Sequence, residues 1–219
     1  MFSRFARFVG LGGVPTTLGD PLYRALFPVL VAQGVIFGGQ TPFTPLWAKE
    51  VLGADTVGAG VLQAWAALLA VCFGLAYGLR SDRTRRRTRW LLVAFLLGIP
   101  ARLALPWVTE YWLGVALNAV ATMGTFSLVF ALLGDWLRYR QEQQSAQIHS
   151  TVRLAFALGW QIGAAGAGIV VARFGYGGLF LLTAALQAVT VLCVIWGVRD
   201  APATDDSPTT DDQRNHTEK

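Results

Sequence analysis

The sequence predicts an all-α membrane protein with six transmembrane helices, and three observations carry that prediction. Hydrophobic residues make up 54% of the 219 residues and charged residues only 14%, against roughly 25% charged in an ordinary soluble domain. Six apolar runs, each long enough to cross about 30 Å of hydrocarbon, follow one another along the chain. These runs are too long and continuous for barrel strands, and helices satisfy their own backbone polar groups in lipid.

The elements follow in chain order from the limits of these runs. Residues 1–24 form a cytoplasmic leader, because this segment is broken by Gly and Pro and lacks the sustained apolar core of a signal peptide. Residues 25–199 form the six-helix bundle. Residues 200–219 are rich in Asp, Thr and Pro, which predicts a disordered cytoplasmic tail. The predicted helices cover residues 25–47, 57–79, 90–108, 112–134, 151–172 and 176–198.

The connections between the helices set their neighbours and their orientation. Residues 109–111 and 173–175 are such short links that helices 3 and 4, and helices 5 and 6, must be antiparallel neighbours. Basic residues cluster in the leader, in the link between helices 2 and 3, and in the tail. This distribution predicts a cell-membrane protein with both termini on the cytoplasmic side. Tryptophans at the predicted helix ends form an interfacial belt: Trp47, Trp90, Trp107, Trp112, Trp136 and Trp196.

The sequence contains few residues that would indicate an enzyme, a metal-binding protein or a nucleic-acid-binding protein. The two histidines, His149 and His216, lie at a helix boundary and in the tail, and no HExxH or Walker sequence is present. Cys72 and Cys193 are too few for a disulfide framework and lie in apolar runs. The net charge of +5 reflects loop topology rather than nucleic-acid binding. We therefore expect no catalytic residues, no cofactor and no metal.

The segment that joins helices 2 and 3 is the most specific motif. Residues 78–87 read Gly-Leu-Arg-Ser-Asp-Arg-Thr-Arg-Arg-Arg. A positive-inside loop explains the arginines but not the single Asp82 among them. The segment resembles the loop signature of the major facilitator superfamily, which the chain matches at Gly78, Asp82, Arg83, Arg86 and Arg87.

Helix 5 carries a glycine pattern at Gly159, Gly163 and Gly166. Glycines at this spacing allow two helices to approach closely in a bilayer, so one interpretation is a plain packing face. The pattern also resembles the helix-5 glycine motif of drug and sugar exporters in the same superfamily. Arg153, one turn inside this helix, either extends to the interface or pairs with Asp82 or Asp135.

Helix 1 bears polar residues and prolines in its outer half, which are costly in lipid unless they face protein or water. The Gly39-Gln40-Thr41-Pro42 segment resembles that of bacterial sugar efflux transporters, in which helix 1 faces the central cavity. The resemblance implies that five side chains contact a sugar, with hydrogen bonding between helices as the alternative role for each. These candidates are Gln40, Thr41, Asn118, Trp160 and Gln161.

The resemblance implies the N-terminal half of a major facilitator fold, a bundle of three plus three helices in an inverted repeat. It also implies a cytoplasmic charge network for gating: Gly78, Asp82, Arg83, Arg86, Asp135 and Arg153. The expected function is export of a small sugar or drug-like solute by alternating access, as a homodimer or with a second six-helix half. The alternative is a truncated remnant or a membrane interaction module that transports nothing.

Overall fold

A computed structural model describes residues 21–84, 86–122, 129, 132 and 145–198, and this part of the chain is helical with no strand. Four helical elements precede the last one: α1, α2, α3 with a 3-10 turn at its end, and α4. Their bounds are Pro21–Glu50, Thr56–Thr84, Arg87–Ala104 with Leu105–Trp107, and Tyr111–Thr122. The final helical stretch is Ser145–Gly197. The predicted leader, the predicted tail and Asp135 lie outside the described residues, apart from the first residues of α1.

Four stretches are long and apolar enough to span a membrane, which confirms an all-helical membrane protein. They are Leu26–Glu50, Thr56–Thr84, Arg87–Trp107 and Ser150–Gly197. The last stretch is two helices, because Gly175 has φ 68° and ψ −175° and interrupts the helical backbone. We call them α5 (residues 145–174) and α6 (residues 176–197). A positive φ at this point suits glycine, which has no Cβ to clash with the backbone.

Helix α1 runs parallel to α5. A Cβ built on Gly34 would lie 2.8 Å from the Trp160 amide nitrogen, and a Cβ built on Gly39 would lie 3.6 Å from the Ala167 side chain. Residue numbers therefore rise together along the two helices. Gly34 and Gly38 of α1 face the backbone of α5 over this length, so the contact is backbone against backbone.

Helix α1 runs antiparallel to α6 on its other side. The side-chain amide of Gln40 donates a hydrogen bond to the Thr183 hydroxyl at 2.9 Å. The side-chain amide of Gln33 donates one to the side-chain oxygen Oε1 of Gln187 at 3.2 Å. The residue numbers increase along α1 from 33 to 40, while those of the bonded residues in α6 decrease from 187 to 183. Because α1 is parallel to α5 and antiparallel to α6, α5 and α6 are antiparallel, as the short link predicts.

Two of the three predicted packing glycines lie at the α1–α5 contact. A Cβ on Gly159 would meet the Val31 carbonyl group, and a Cβ on Gly163 would meet the Val35 carbonyl group. Among the described residues, a Cβ on Gly166 would meet no atom within 4 Å, so Gly166 is not part of the α1–α5 contact. The contact continues at every fourth residue, so the next position on this face is residue 167 and not residue 166.

Two apolar clusters lie at opposite ends of the bundle. The Phe95 cluster contains residues from the starts of α1, α3 and α5 and from the end of α6, with Val129 and Leu132 from the segment between α4 and α5: Leu26, Val29, Leu30, Leu91, Ala94, Phe95, Val129, Leu132, Val152, Ala155, Val191, Val194 and Val198. The Trp47 cluster contains the ends of α1 and α3 and the starts of α2, α4 and α6: Trp47, Ala48, Ala59, Leu62, Leu105, Val108, Val115 and Phe180. This division means that consecutive helices alternate in direction through the bundle.

Three expectations about boundaries and tryptophans change. Helix α1 begins at Pro21, inside the predicted leader, and α2 continues to Thr84, so most of the motif that was expected to be a loop is helical. Trp47 is 1% exposed and packs edge-on against Phe180, with 5.1 Å between ring centroids. Trp47 is therefore a core residue and not part of an interfacial belt. Trp107, Trp112 and Trp196 are exposed and lie at helix ends, as an interfacial belt requires.

Candidate solute site

Helix α1 stays helical through Pro45, and a side chain from α2 takes over the bond that this proline cannot make. Proline has no N–H, so the carbonyl four residues earlier, that of Thr41, loses its helical partner. The Gln63 side-chain amide donates to the Thr41 carbonyl oxygen at 3.3 Å. This bond brings a polar side chain of α2 against α1 inside the apolar length of both helices, where free polar groups are costly.

Three aromatic rings lie in a row across the contact between α1 and α5. Phe37 of α1 lies 6.2 Å from Phe156 of α5, centroid to centroid, and Phe156 lies 5.9 Å from Trp160 one turn along. All three rings are half-buried, so each keeps an accessible surface. The backbone of Trp160 contacts Gly38, which is one turn before Thr41. The Gln63 amide therefore contacts α1 from α2, and the rings contact α1 from α5, within one stretch of α1.

Helix α5 exposes two different stripes along its length. One stripe contains large apolar residues at helical spacing: Leu154, Leu158, Ile162 and Ile169. The other contains the exposed polar side chains Arg153 and Gln161, with the exposed Ala157 between them. The first stripe suits contact with lipid. The second is costly in lipid and suits a water-filled path or another protein surface.

The structure separates the five predicted solute contacts into two groups. Thr41 of α1 and Gln161 of α5 are exposed, and Trp160 of α5 is half-buried. Gln40 is 4% exposed and its amide bonds Thr183 of α6, so it faces the interior. Asn118 is 2% exposed within α4. The three accessible residues with Gln63 define what we call the α1–α2–α5 face.

Sequence reasoning missed three residues of this region: Phe37, Phe156 and Gln63. Gln63 had a readable signal, since it is the only amide side chain in the 29 residues of α2. Phe37 and Phe156 had none, because phenylalanine is common in apolar helices and its neighbours depend on which helices pack together.

Arg102 of α3 is a buried cation without an acidic partner among the described residues. It is 2% exposed, and its Nε atom has no hydrogen-bond partner. A Cβ on Gly98 would lie 2.7 Å from the Arg102 guanidinium, so the glycine leaves room for it. The Asn118 amide nitrogen is also buried without a partner. The Gly98 position lies 3.6 Å from the Ala121 carbonyl oxygen, so the antiparallel hairpin brings Arg102 to the level of Asn118.

The motif at the end of α2 forms one ion pair in the described chain. Asp82 accepts from the Arg87 guanidinium at 2.8 Å, with the Asp82 side chain 59% exposed and that of Arg87 17% exposed. The structure therefore pairs Asp82 with Arg87 and not with Arg153. The other predicted members of the charge network, Arg83, Arg86 and Arg153, are exposed, and a Cβ on Gly78 would meet open space.

No group of three or more His, Cys, Asp or Glu side chains lies close enough to hold a metal ion in the described ranges. The chemistry available at the α1–α2–α5 face is hydrogen bonding by amides and a hydroxyl, with stacking on aromatic rings. These groups bind neutral polar molecules and ring compounds.

Comparison with known proteins agrees with this architecture. The family model described as Major Facilitator Superfamily matches residues 26–218. A Deinococcus radiodurans protein named "Putative sugar efflux transporter" is 28% identical over 166 residues. That alignment covers 74% of the present chain and 42% of the relative, so the chain spans less than half of the relative's length.

Proposed function

Because the chain belongs to the major facilitator superfamily, we propose that it forms one half of a transporter that moves a small sugar or drug-like solute by alternating access. The observation that carries the proposal is the α1–α2–α5 face, with its exposed amide and hydroxyl groups beside accessible rings. A surface of this kind within the apolar length of a bundle suits a polar path rather than lipid.

The pattern of helix contacts supports a six-helix bundle of three plus three helices. An inverted repeat exchanges α1 with α4, α2 with α5, and α3 with α6. It converts the α1–α5 contact into an α2–α4 contact, for which Tyr111 donates to the Gly58 carbonyl oxygen at 2.7 Å. It leaves α3 beside α6, where Pro106 lies 3.5 Å from the Cβ position of Gly177. It also converts the α1–α6 contact into the α3–α4 hairpin.

The residues have distinct proposed roles in binding the solute. Trp160 offers a ring face for stacking on a pyranose or an aromatic solute. Gln161 and Thr41 offer donors and acceptors for hydroxyl groups. Gln40, through Thr183, holds α1 behind this face. Asn118, with its free amide, is available to a solute only from within the bundle.

The proposed partner is a second six-helix unit, from another copy of this chain or from a separate chain. It would cover the α1–α2–α5 face and leave a central cavity. The Asp82–Arg87 pair and the exposed arginines Arg83, Arg86 and Arg153 would meet this partner at the arginine-rich end and act in gating. Asp135 belongs to the same proposed network. The basic segments favour a cell membrane with both termini in the cytoplasm.

Efflux from sealed vesicles tests the proposal. The full chain is reconstituted alone, and the release of a panel of labelled mono- and disaccharides is followed with and without the Gln161→Ala substitution. We expect saturable release of at least one sugar, reduced about tenfold in the variant, the loss typical of one or two solute hydrogen bonds. Leu158→Ala, on the lipid stripe of the same helix, should leave the rate near that of the wild type.

Absence of saturable flux for every solute, with the chain folded and monomeric, would favour the interaction module instead. Equal loss in Gln161→Ala and Leu158→Ala would mean that the variants act through folding and not through the α1–α2–α5 face.

A further inference from the structure

A basic cavity lies between the end of α2 and the start of α3, apart from the α1–α2–α5 face. Its volume is about 560 Å³, within the size range of small-molecule sites. Six residues line it: Arg80, Thr84, Arg86, Arg89, Trp90 and Val93. Half of these six residues are arginine, and none of the described lining residues carries a carboxylate.

The charge of this cavity is not neutralised by the nearby carboxylate. Asp82 is the acidic residue of the segment, and it pairs with Arg87, which does not line the cavity. In the part of the chain that the structure describes, Arg80, Arg86 and Arg89 form no ion pair. Three guanidinium groups therefore share one cavity, and the described residues supply no anion to pair with them. Guanidinium groups left without an anionic partner in this way are suited to binding an anionic ligand.

The start of α3 adds to the positive character of the cavity. Arg86 is the N-cap residue, it makes no side-chain capping hydrogen bond, and the first turn of α3 contains no acidic residue. A helix N-terminus carries a partial positive charge and backbone N–H groups that favour phosphate. Here the uncapped N-terminus of an 18-residue helix lies at the same cavity as the arginines, so two features point to a negatively charged ligand.

Trp90 gives the cavity a fixed and partly apolar wall. Its indole N–H donates to the Thr84 hydroxyl at 3.0 Å, and Tyr77 packs on its ring with 6.1 Å between centroids. The Arg80 guanidinium lies 5.8 Å from the Trp90 ring centroid, which holds that cation over the ring. Val93, one turn further along α3, continues the wall toward the apolar length of the helix.

From these contacts we propose that the cavity binds the phosphate of an anionic phospholipid, with Arg89 and the N-terminus of α3 on the phosphate and the acyl chains leaving past Trp90 and Val93. Basic cavities between membrane helices, at the level of the headgroups, bind such lipids. A free phosphate offers the same charge but makes no use of the apolar wall, so the lipid fits the cavity more completely.

Lipid binding to the purified full chain in neutral detergent tests this site. Native mass spectrometry measures the affinities for short-chain phosphatidylglycerol and phosphatidylcholine, and inorganic phosphate is added as a competitor. We expect one phosphatidylglycerol to bind at least about tenfold more tightly than phosphatidylcholine. Inorganic phosphate at the same concentration should not displace it. These comparisons need no variant, so they hold even if a substitution prevents folding.

A matched pair of substitutions separates the cavity from general surface charge. Arg89→Gln should weaken phosphatidylglycerol binding by about tenfold, the loss of one charge-assisted hydrogen bond. Arg83→Gln removes the same charge from the same segment but lies outside the cavity lining, so its effect should not exceed about threefold, the screened general attraction. Arg89→Lys, which keeps the charge, should bind more tightly than Arg89→Gln.

Three results would overturn the proposal. Equal binding of the two lipids would show that the negative charge is not recognised. Equal losses in Arg83→Gln and Arg89→Gln would show general attraction to a basic surface. Displacement by inorganic phosphate at equal concentration would assign the cavity to free phosphate and not to lipid.

Discussion

Helices α1 and α2 are similar in length and differ in how they are held. They have 30 and 29 residues, and both are apolar enough to span a membrane. In the most apolar window of α1 half of the residues are buried within the bundle, whereas in that of α2 the share is 17%. In the first helix glycine contacts and buried hydrogen bonds run along its length, while in the second the buried residues are near its ends.

This difference in burial indicates which helix surfaces face other helices and which face the membrane. In α2 the buried residues are Ala59, Leu62, Ala66 and Ser81, while Leu68, Val71, Leu75 and Leu79 are exposed. Because lipid is as apolar as leucine, exposed leucines cost nothing there. The polar and glycine-rich surfaces of α1 therefore carry specific contacts along its length, whereas the polar contacts of α2 include Gln63 and lie otherwise toward its two ends, at Gly58, Thr84 and Asp82.

The largest effect should come from filling the α1–α5 contact. A Gly159→Ala substitution places a Cβ 2.9 Å from the Val31 carbonyl carbon and 3.1 Å from the Gly34 Cα, so one backbone must move. We expect the free energy of unfolding in mixed micelles to fall by about 2–3 kcal/mol. Gly166→Ala is the control, since its Cβ meets no atom, and it should be neutral or slightly stabilising. Equal effects of the two would contradict the close contact.

A smaller effect should follow from removing a buried hydrogen bond between α1 and α6. Thr183→Val leaves the Gln40 amide without its acceptor, whereas in Gln40→Leu the Thr183 hydroxyl loses one bond and still donates to the Phe180 carbonyl oxygen. In a double-mutant cycle we expect a coupling energy of about 1 kcal/mol, in the range measured between membrane helices. A coupling energy near zero would mean that Gln40 does not bond Thr183. Gln40 would then again be a candidate for direct contact with the solute.

The smallest effect on stability should come from the ion pair at the end of α2. The Asp82 side chain is 59% exposed, so Asp82→Asn should change the free energy of unfolding by less than about 1 kcal/mol. If the pair acts in gating or in association with a second six-helix unit, the same variant should lower flux or crosslinking severalfold. A variant that changes neither would reduce the motif to a signal for topology.

The sequence predicts the helices and their polarity better than it predicts their partners. Apolar length identifies the spans, and the three-residue link at 173–175 correctly predicts that α5 turns back as α6. Gly159 and Gly163 can be identified from their spacing, but their partners Val31, Gly34 and Val35 cannot, because no local pattern indicates that α1 packs against α5.

The candidate site is less predictable for the same reason. Thr41 and Gln40 are neighbours in α1, yet Thr41 is exposed and Gln40 bonds α6. Trp47 at a helix end was expected at the interface and lies in the core, because Phe180 packs on it. Which side of a helix faces which neighbour is a tertiary property, and composition alone does not contain it.

The most direct test of the α1–α2–α5 face as a polar path compares two adjacent residues of α5. Gln161 lies on the polar stripe and Ile162 on the apolar stripe, and both are exposed. Each is replaced by cysteine in a chain whose Cys72 and Cys193 are alanine, and sealed vesicles are treated with a water-soluble maleimide that does not cross membranes. We expect rapid labelling at position 161 from at least one side and little at position 162. Labelling at position 162 alone, or equal labelling of both, would contradict it.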